Sequence, residues 1–390
     1  MSHLSSDNKK YIDIAKKLIL IAVFSCFVHF WVARAAIVLS VLAFFFLPGI
    51  NKVAFSHKGS LIIFLFSVIG WIVSLCCKNI YGIASYPMFF AIMYFGFVVR
   101  AIATKDFFEK ILDTVCMGGC VASAIAFLLQ INNDILRSQA GFPNPNFLGA
   151  ALMIAVFVCI YKVVIEAKNT YLYFIAAAAN AFGIILCGSL SLWVVMAIGA
   201  AILFTLNRNT NMLIALICAV VLASLVIFFK PELIYRLNEV SLTIENRVNI
   251  WKFSLENIKA TPIFGRGFFS YRYWREFYAA SRADIVSVSL AHNLLLDSLL
   301  SHGIVGTGLL STYVVYYFKD VIRCRKKLKL HKRSRTINSF IIAVCVAIAI
   351  YGLIDTTFIW VQSGTLLLMI MCGLGADENN IREIEKSDLS

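Results

Sequence analysis

Long apolar runs separated by short polar links dominate this chain. They occupy residues 17–33, 35–50, 59–77, 84–99, 111–130, 147–161, 171–187, 189–206, 211–229, 293–318, 339–354 and 356–375. A helix needs about 20 mainly apolar residues to cross the hydrocarbon of a bilayer. Only helices and closed barrels satisfy their backbone there, and these runs do not alternate as barrel strands do. The first two runs, and the seventh and eighth, have links short enough for a re-entrant hairpin, so the count lies between ten and twelve. The pattern predicts an all-α integral membrane protein with about 10–12 transmembrane helices and one large external loop of short helices. The expected division is 1–229 (N-terminal transmembrane helices), 230–291 (external loop), 292–376 (C-terminal transmembrane helices) and 377–390 (a cytoplasmic tail).

Composition agrees. The 390 residues are 61% hydrophobic and only 14% charged, against roughly 25% charged in soluble domains. The net charge of +14 would suggest nucleic acid in a soluble chain. Here the excess sits in links between apolar runs, which is the positive-inside pattern, and no basic stripe stands on a soluble domain. One set of links carries the N-terminal lysines, Lys52 and Lys58, Arg100 to Lys110, Lys162 and Lys168, Arg208, and a dense run from Lys319 to Arg335 that includes Lys332 and Arg333. The alternate set, with Arg34, Lys78, residues 131–146, Gly188 and the turn near Asp355, is poor in charge. Both termini are then expected inside, and the 131–146 link shares the outer face with the 230–291 loop. The N-terminal lysines resemble a signal region, but no small-residue cleavage site follows, so an uncleaved first span is expected. None of the eleven cysteines lies between Lys230 and Ala291, which leaves the loop without a disulfide framework.

The loop has its own pattern. Ile244, Val248, Trp251, Leu255 and Ile258 recur at helical spacing, and Thr261-Pro262 stops that helix. The stripe is expected to face the membrane surface or the bundle mouth. After Gly265-Arg266-Gly267 come Phe268, Phe269, Tyr271, Tyr273, Trp274, Phe277 and Tyr278. Such aromatics suit an interfacial belt or a sugar-binding face equally. Arg236, Arg247, Arg266, Arg272, Arg275 and Arg282 add forks that match phosphate oxygens, whether of a lipid headgroup or of a diphosphate substrate. His292 stands where the chain re-enters the membrane, and an imidazole suits proton transfer near neutral pH. Ser301-His302-Gly303-Ile304-Val305-Gly306 follows, with small residues that permit close helix packing.

Taken in order, Arg247-Val-Asn-Ile-Trp251, Thr261-Pro-Ile-Phe-Gly-Arg-Gly267, His292-Asn293 with Leu296, and Gly303-Ile-Val-Gly306 resemble the O-antigen ligase and polymerase family of bacterial membrane glycosyltransferases. Gly141-Phe-Pro-Asn-Pro-Asn146 is similar to a further recurring feature of that family. The resemblance implies transfer of a glycan from undecaprenyl diphosphate to an acceptor hydroxyl at the outer face of the bacterial inner membrane. The acceptor is lipid A–core in a ligase and the end of another repeat unit in a polymerase. The polymerase is preferred here because such enzymes are many and diverse. An inverting reaction with no cofactor and no metal is implied. The partners are the lipid-linked donor, the acceptor glycan or lipid A–core, and membrane lipids, with no nucleic acid.

The resemblance assigns Arg247 to the diphosphate and His292 to acceptor activation. Arg137, just before the Asn-Pro-Asn segment, and Arg266 are candidate further diphosphate ligands. Trp251, Tyr271, Trp274 and Asn293 are candidate glycan contacts, although Asn293 also suits a helix cap and Asn144 and Asn146 suit turns. Two departures stand out. Gly188-Ser189-Leu190-Ser191-Leu192 lacks the arginine that family members often carry after a serine, so Arg137 or Arg266 must substitute. Ser301 stands where a Glu is common. The alternative class is a polytopic secondary transporter or a lipid-linked oligosaccharide flippase. It would use Asp297 or Asp355, but both fall near outer ends of spans rather than at the midplane.

Overall fold

The structure, a computed structural model, describes residues 6–47, 49–55, 58–133, 137–229, 240–278, 285–330 and 335–387. Its helices are α1 (Ser6–Ser25), α2 (Phe30–Phe45), α3 (Ile50–Phe55), α4 (Lys58–Cys76), α5 (Ile80–Ile102), α6 (Lys105–Asn133), α7 (Pro145–Val164), α8 (Thr170–Cys187), α9 (Leu190–Leu206), α10 (Thr210–Phe229), α11 (Val240–Ala260), α12 (Ser270–Tyr278), α13 (Leu294–Leu330), α14 (Thr336–Gly352) and α15 (Val361–Ser387). Among the described residues there is no strand. Among the described residues six helices are long and apolar enough to cross a membrane, α4 to α8 and α13, and four shorter apolar helices accompany them. The all-α membrane reading therefore holds. Large side chains such as Leu39, Leu61, Ile185, Val194 and Leu222 point outward, which suits a surface bathed in lipid rather than water. Arg236 and Arg282 of the loop, and Lys332 and Arg333 of the basic run, lie outside the described residues.

Helix ends follow local chemistry. Asn144 caps α7 by accepting from Asn146 N at 2.8 Å, and Pro145 starts the helix where no N–H is needed. α7 is the central helix, buried along almost its whole length. Close approach there depends on small residues. Gly149 faces Leu192 and Cys187, Gly119 faces Asn180 and Ala155, and Gly199 faces Phe157.

Three expected positions need correction. Arg34 was expected in a link, but α1 ends at Ser25 and α2 already begins at Phe30, capped by His29 Nδ1 accepting from Trp31 N at 3.3 Å. Arg34 is thus inside α2; the surrounding residues are apolar on both sides of the break and do not reveal it. Arg100 and Lys162 were expected among loop charges, and both are buried. Arg100 pairs with Glu378 at 2.5 Å and Asp320 at 3.1 Å, and Lys162 with Glu109 at 2.7 Å and Asp113 at 2.6 Å. Buried charges persist only when paired in this way.

Two of the sequence motifs prove to be halves of one lock. α13 breaks at Gly303, whose φ of 60° and ψ of −166° are not helical. The broken turn frees backbone groups, and the Pro262–Gly267 loop satisfies them. Ile304 N donates to Pro262 O at 2.9 Å, Val305 N to Ile263 O at 3.0 Å, and Gly267 N to Ser301 O at 2.7 Å. A side chain at Gly265 would strike the Ser301 carbonyl, and one at Gly303 would strike the Ile263 carbonyl. Asn79, buried at the start of α5, fastens the same loop. Its Oδ1 caps Tyr81 and Gly82, while its Nδ2 donates to Arg266 O at 2.8 Å and Phe268 O at 3.0 Å. Gly303→Ala should therefore destabilise the protein by about 1–3 kcal/mol, through left-handed strain and overpacking. A melting temperature of the purified variant equal to wild type would show that the loop is not locked into the helix break.

Candidate functional site

His292 sits just before α13, after the segment that carries α11 and α12, in a left-handed conformation, φ 49°, which is unusual for a residue with a side chain. Its neighbours hold it there. Ala291 N donates to the buried Asp297 carboxylate at 3.0 Å. Asn293 Oδ1 caps α13 by accepting from Leu295 N and Leu296 N, and its Nδ2 donates to Leu353 O at 3.0 Å. The His292 carbonyl accepts from Arg247 Nη1 at 3.3 Å. The imidazole is thus aimed by backbone fixed on three sides.

Its Nδ1 lies 3.0 Å from Asp355 Oδ1, in the turn between α14 and the short 3₁₀ helix Thr357–Ile359. Asp355 is the centre of the site. Thr356 N donates to Oδ1 at 2.8 Å, Asn146 Nδ2 donates to Oδ2 at 3.0 Å, and Arg247 Nη2 lies 3.7 Å from Oδ2. Only 3% of the Asp355 side chain is exposed, against 23% for His292 and 19% for Arg247. Burial by itself would raise the carboxyl's pKa. The His292 hydrogen bond and the charges of His292 and Arg247 outweigh it and hold the group below the usual carboxylate range.

Arg247 reaches this centre from α11, where its Nη1 also donates to Ile354 O. Arg137 arrives through Asn146, donating to its Oδ1 at 2.6 Å from Nη2 and to Cys187 O at 2.8 Å from Nε. Arg137 therefore stands at the α8–α9 turn, beside the Gly188–Leu192 stretch. One polar chain runs Arg137–Asn146–Asp355–His292, with Arg247 alongside. It joins four distant parts of the sequence.

The other candidate residues take different places. Arg266 lies with its guanidinium 5.0 Å from the Trp274 ring and 5.9 Å from Tyr273, on the loop that enters the α13 break. Tyr271 and Trp274 are buried in the loop's own core with Ile250, Phe253 and Leu300, and Trp251 is half-buried against it. That core lies on the face of α11 opposite Ile244, Val248 and Leu255, which point outward. Sequence reasoning missed the parts played by Asp355 and Asn146. The signal for Asp355 was its rarity, a single carboxylate at the end of an apolar span. Asn146 gave none beyond its turn.

This arrangement has a definite chemical capacity. A carboxylate that accepts the Nδ1–H fixes the imidazole's orientation and tautomer, which leaves Nε2 as the free base. Two arginines bring positive charge to the same end of the bundle. Among the described residues no three His, Cys, Asp or Glu side chains converge as a metal-ligand set.

Asp355 and Arg247 should be energetically coupled. Asp355→Asn and Arg247→Gln are each expected to lower thermal stability, and the double variant to lose less than the sum, by about 1–3 kcal/mol. Strictly additive losses would show that the pair does not act as a unit. The contribution of a carboxylate with a depressed folded-state pKa is complete above the ordinary carboxylate range. It fades only as pH falls through the lower folded value, so the coupling should persist at pH 6 and weaken in acid.

No curated protein matches the chain. Residues 172–311 match a family model described as O-antigen ligase. That stretch runs from α8 into α13 and contains Arg247, Arg266 and His292, with Arg137 and Asp355 outside it. Over that stretch this all-α, multi-pass membrane protein is similar to the O-antigen ligase family.

Proposed function

We propose that the chain transfers a glycan from an undecaprenyl-diphosphate donor to a sugar hydroxyl during surface-polysaccharide assembly. The preferred acceptor is the end of another repeat unit, which makes the chain a polymerase; lipid A–core is the acceptor on the ligase reading. The bundle sits in the inner membrane with both termini in the cytoplasm and the His292 end outside. The general ligase- or polymerase-type activity rests on the family match. The finer reading rests on one observation, the buried Asp355 that orients His292 with Arg247 beside it.

In this reading His292 Nε2 takes the proton of the acceptor hydroxyl. The hydroxyl oxygen forms a bond to the anomeric carbon as the bond from that carbon to the diphosphate oxygen breaks. The electron pair leaves with the diphosphate, and a single displacement inverts the anomeric centre. Arg247 and Arg137 meet the growing negative charge, which preorganised cations stabilise more in the transition state than in the ground state. Arg137 fills the place of the arginine missing after Ser189. Arg266 is a further diphosphate ligand, and Trp251 and Asn293 shape the wall on which the glycan rests, with the buried Tyr271 and Trp274 supporting it from behind rather than touching the glycan. The transporter reading needs a coupling charge. Asp297 holds Ala291 N and Asp355 holds His292, which employs both of its candidates in the outer site.

The test is transfer from purified undecaprenyl-diphosphate-linked glycan by reconstituted protein, with free repeat unit and lipid A–core offered separately. His292→Ala should lower turnover by about 10²–10⁴-fold, and Asp355→Asn should follow it in the same direction. Wild-type transfer to neither acceptor would remove the glycosyltransferase reading. Full activity of His292→Ala would remove this mechanism while leaving the reaction class in place.

A further inference from the structure

A cavity of about 800 Å³ opens at the end of the bundle opposite His292. α7 starts beside the site at Asn146 and reaches this cavity at Tyr161, roughly 22 Å further along a helix. The starts of α6 and α14 and the C-terminal half of α15 complete its wall. Its charge runs against that of the chain. The protein carries a net charge of +14. Among the described residues, however, the lining holds three carboxylates, those of Asp106, Asp377 and Glu383, and one lysine, Lys105. Asp106 and Glu383 are exposed, whereas Asp377 is only 4% exposed.

Asp377 is the anomaly. The buried cations at this end are already taken, Arg100 by Glu378 and Asp320, and Lys162 by Glu109 and Asp113. Asp377 has no hydrogen bond or ion pair among the described residues, and its Oδ2 is buried without a partner. Burial, with the nearby charge of Glu378, pushes its carboxyl up to about 7. A carboxylate buried without compensation is costly. The cavity has room for the missing cation. It is of the size that small molecules occupy, and no three His, Cys, Asp or Glu side chains among the described residues converge as a metal-ligand set. Apolar surface separates the carboxylates, from Ile165, Ile337, Ala376 and the Tyr161 ring. Asn379 Nδ2 donates to Ala103 O at 2.7 Å, which leaves its Oδ1 as an acceptor in the same wall.

We infer that this cavity binds an aliphatic polyamine, with one ammonium on the buried Asp377 carboxylate and another toward the exposed Asp106 and Glu383. The methylene spacers rest on Ile165 and Ile337, and the Tyr161 ring offers its face to a cation. Separate ammonium groups joined by apolar chain match separate carboxylates divided by apolar wall. A single metal ion matches only one of them. The bound cation ties α15 to α6, α7 and α14 at the end remote from His292. Such binding does not depend on the proposed transfer reaction.

Spermidine binding to the purified full-length protein should be measured by isothermal titration calorimetry and by thermal shift. The buffer is held at fixed ionic strength and about pH 8, where the Asp377 carboxylate is ionised. Wild type is expected to bind with a saturable rise in melting temperature. Asp377→Asn should weaken binding roughly tenfold, as loss of a charge-assisted contact does. Asn380→Lys, one turn from Asp377 along α15, should block spermidine and raise the melting temperature in its absence, because it supplies an ammonium from the protein itself. Equal binding by wild type and both variants would overturn the site, as attraction to surface charge alone. Absence of wild-type binding would also overturn it, with Asp377 neutralised by its own proton. Displacement of spermidine by an equal concentration of magnesium would overturn the polyamine in favour of a metal ion.

Discussion

The carboxylate of Asp355 is the point on which this end of the molecule depends. A buried anion must be compensated several times over, and Asp355 gathers a backbone N–H, an asparagine amide, an imidazole and a guanidinium to do so. Those partners come from α7, α11 and the approach to α13. One desolvated charge therefore fixes the orientation of His292 and brings Arg247 and the Arg137–Asn146 pair to the same place. The same requirement makes the arrangement chemically useful, because an imidazole whose Nδ1 is committed presents its other nitrogen as a base.

The glycine-rich lock serves a different purpose. α13 cannot continue as a regular helix through Gly303, and the freed N–H groups would be unsatisfied at the edge of the apolar region. Insertion of Pro262–Gly267 repairs the break and ties the loop to the bundle. The loop is thereby fixed at two points, by Arg247 within α11 and by the lock just after its end. Its aromatic residues Tyr271 and Trp274 then serve as its internal core. A segment built in this way is a rigid cover over the His292 end of the bundle, which suits the proposed transfer from a sugar diphosphate.

At the opposite end, Arg100 and Lys162 turn cationic side chains to a structural use. Long side chains at helix ends are drawn into pairs with Glu378, Asp320, Glu109 and Asp113, and they clamp α5 to α15 and α7 to α6. The two ends of the bundle are thus each held by buried charge, while the middle is held by small-residue packing around α7.

Much of this was legible in the amino-acid order. Apolar runs of membrane-spanning length dictate helices, since lipid offers no other partner for the backbone, and the runs 147–161, 171–187 and 189–206 correspond closely to α7, α8 and α9. Thr261-Pro262 marked the end of α11, and Arg247, His292 and the two glycine motifs drew notice by residue type and spacing. The sequence could not show which of these meet. The approach of Asp355 to His292, of Asn146 to Asp355 and of Arg137 to the α8–α9 turn spans tens to hundreds of residues and is decided by helix packing, which local periodicity does not encode. Nor did the apolar residues on either side of His29 reveal that α1 stops at Ser25 and that Arg34 lies inside α2. Local chemistry determined the elements and the candidate residues; only the tertiary structure determined which charges share a buried space, because the cost of burying them is met by partners remote in the chain.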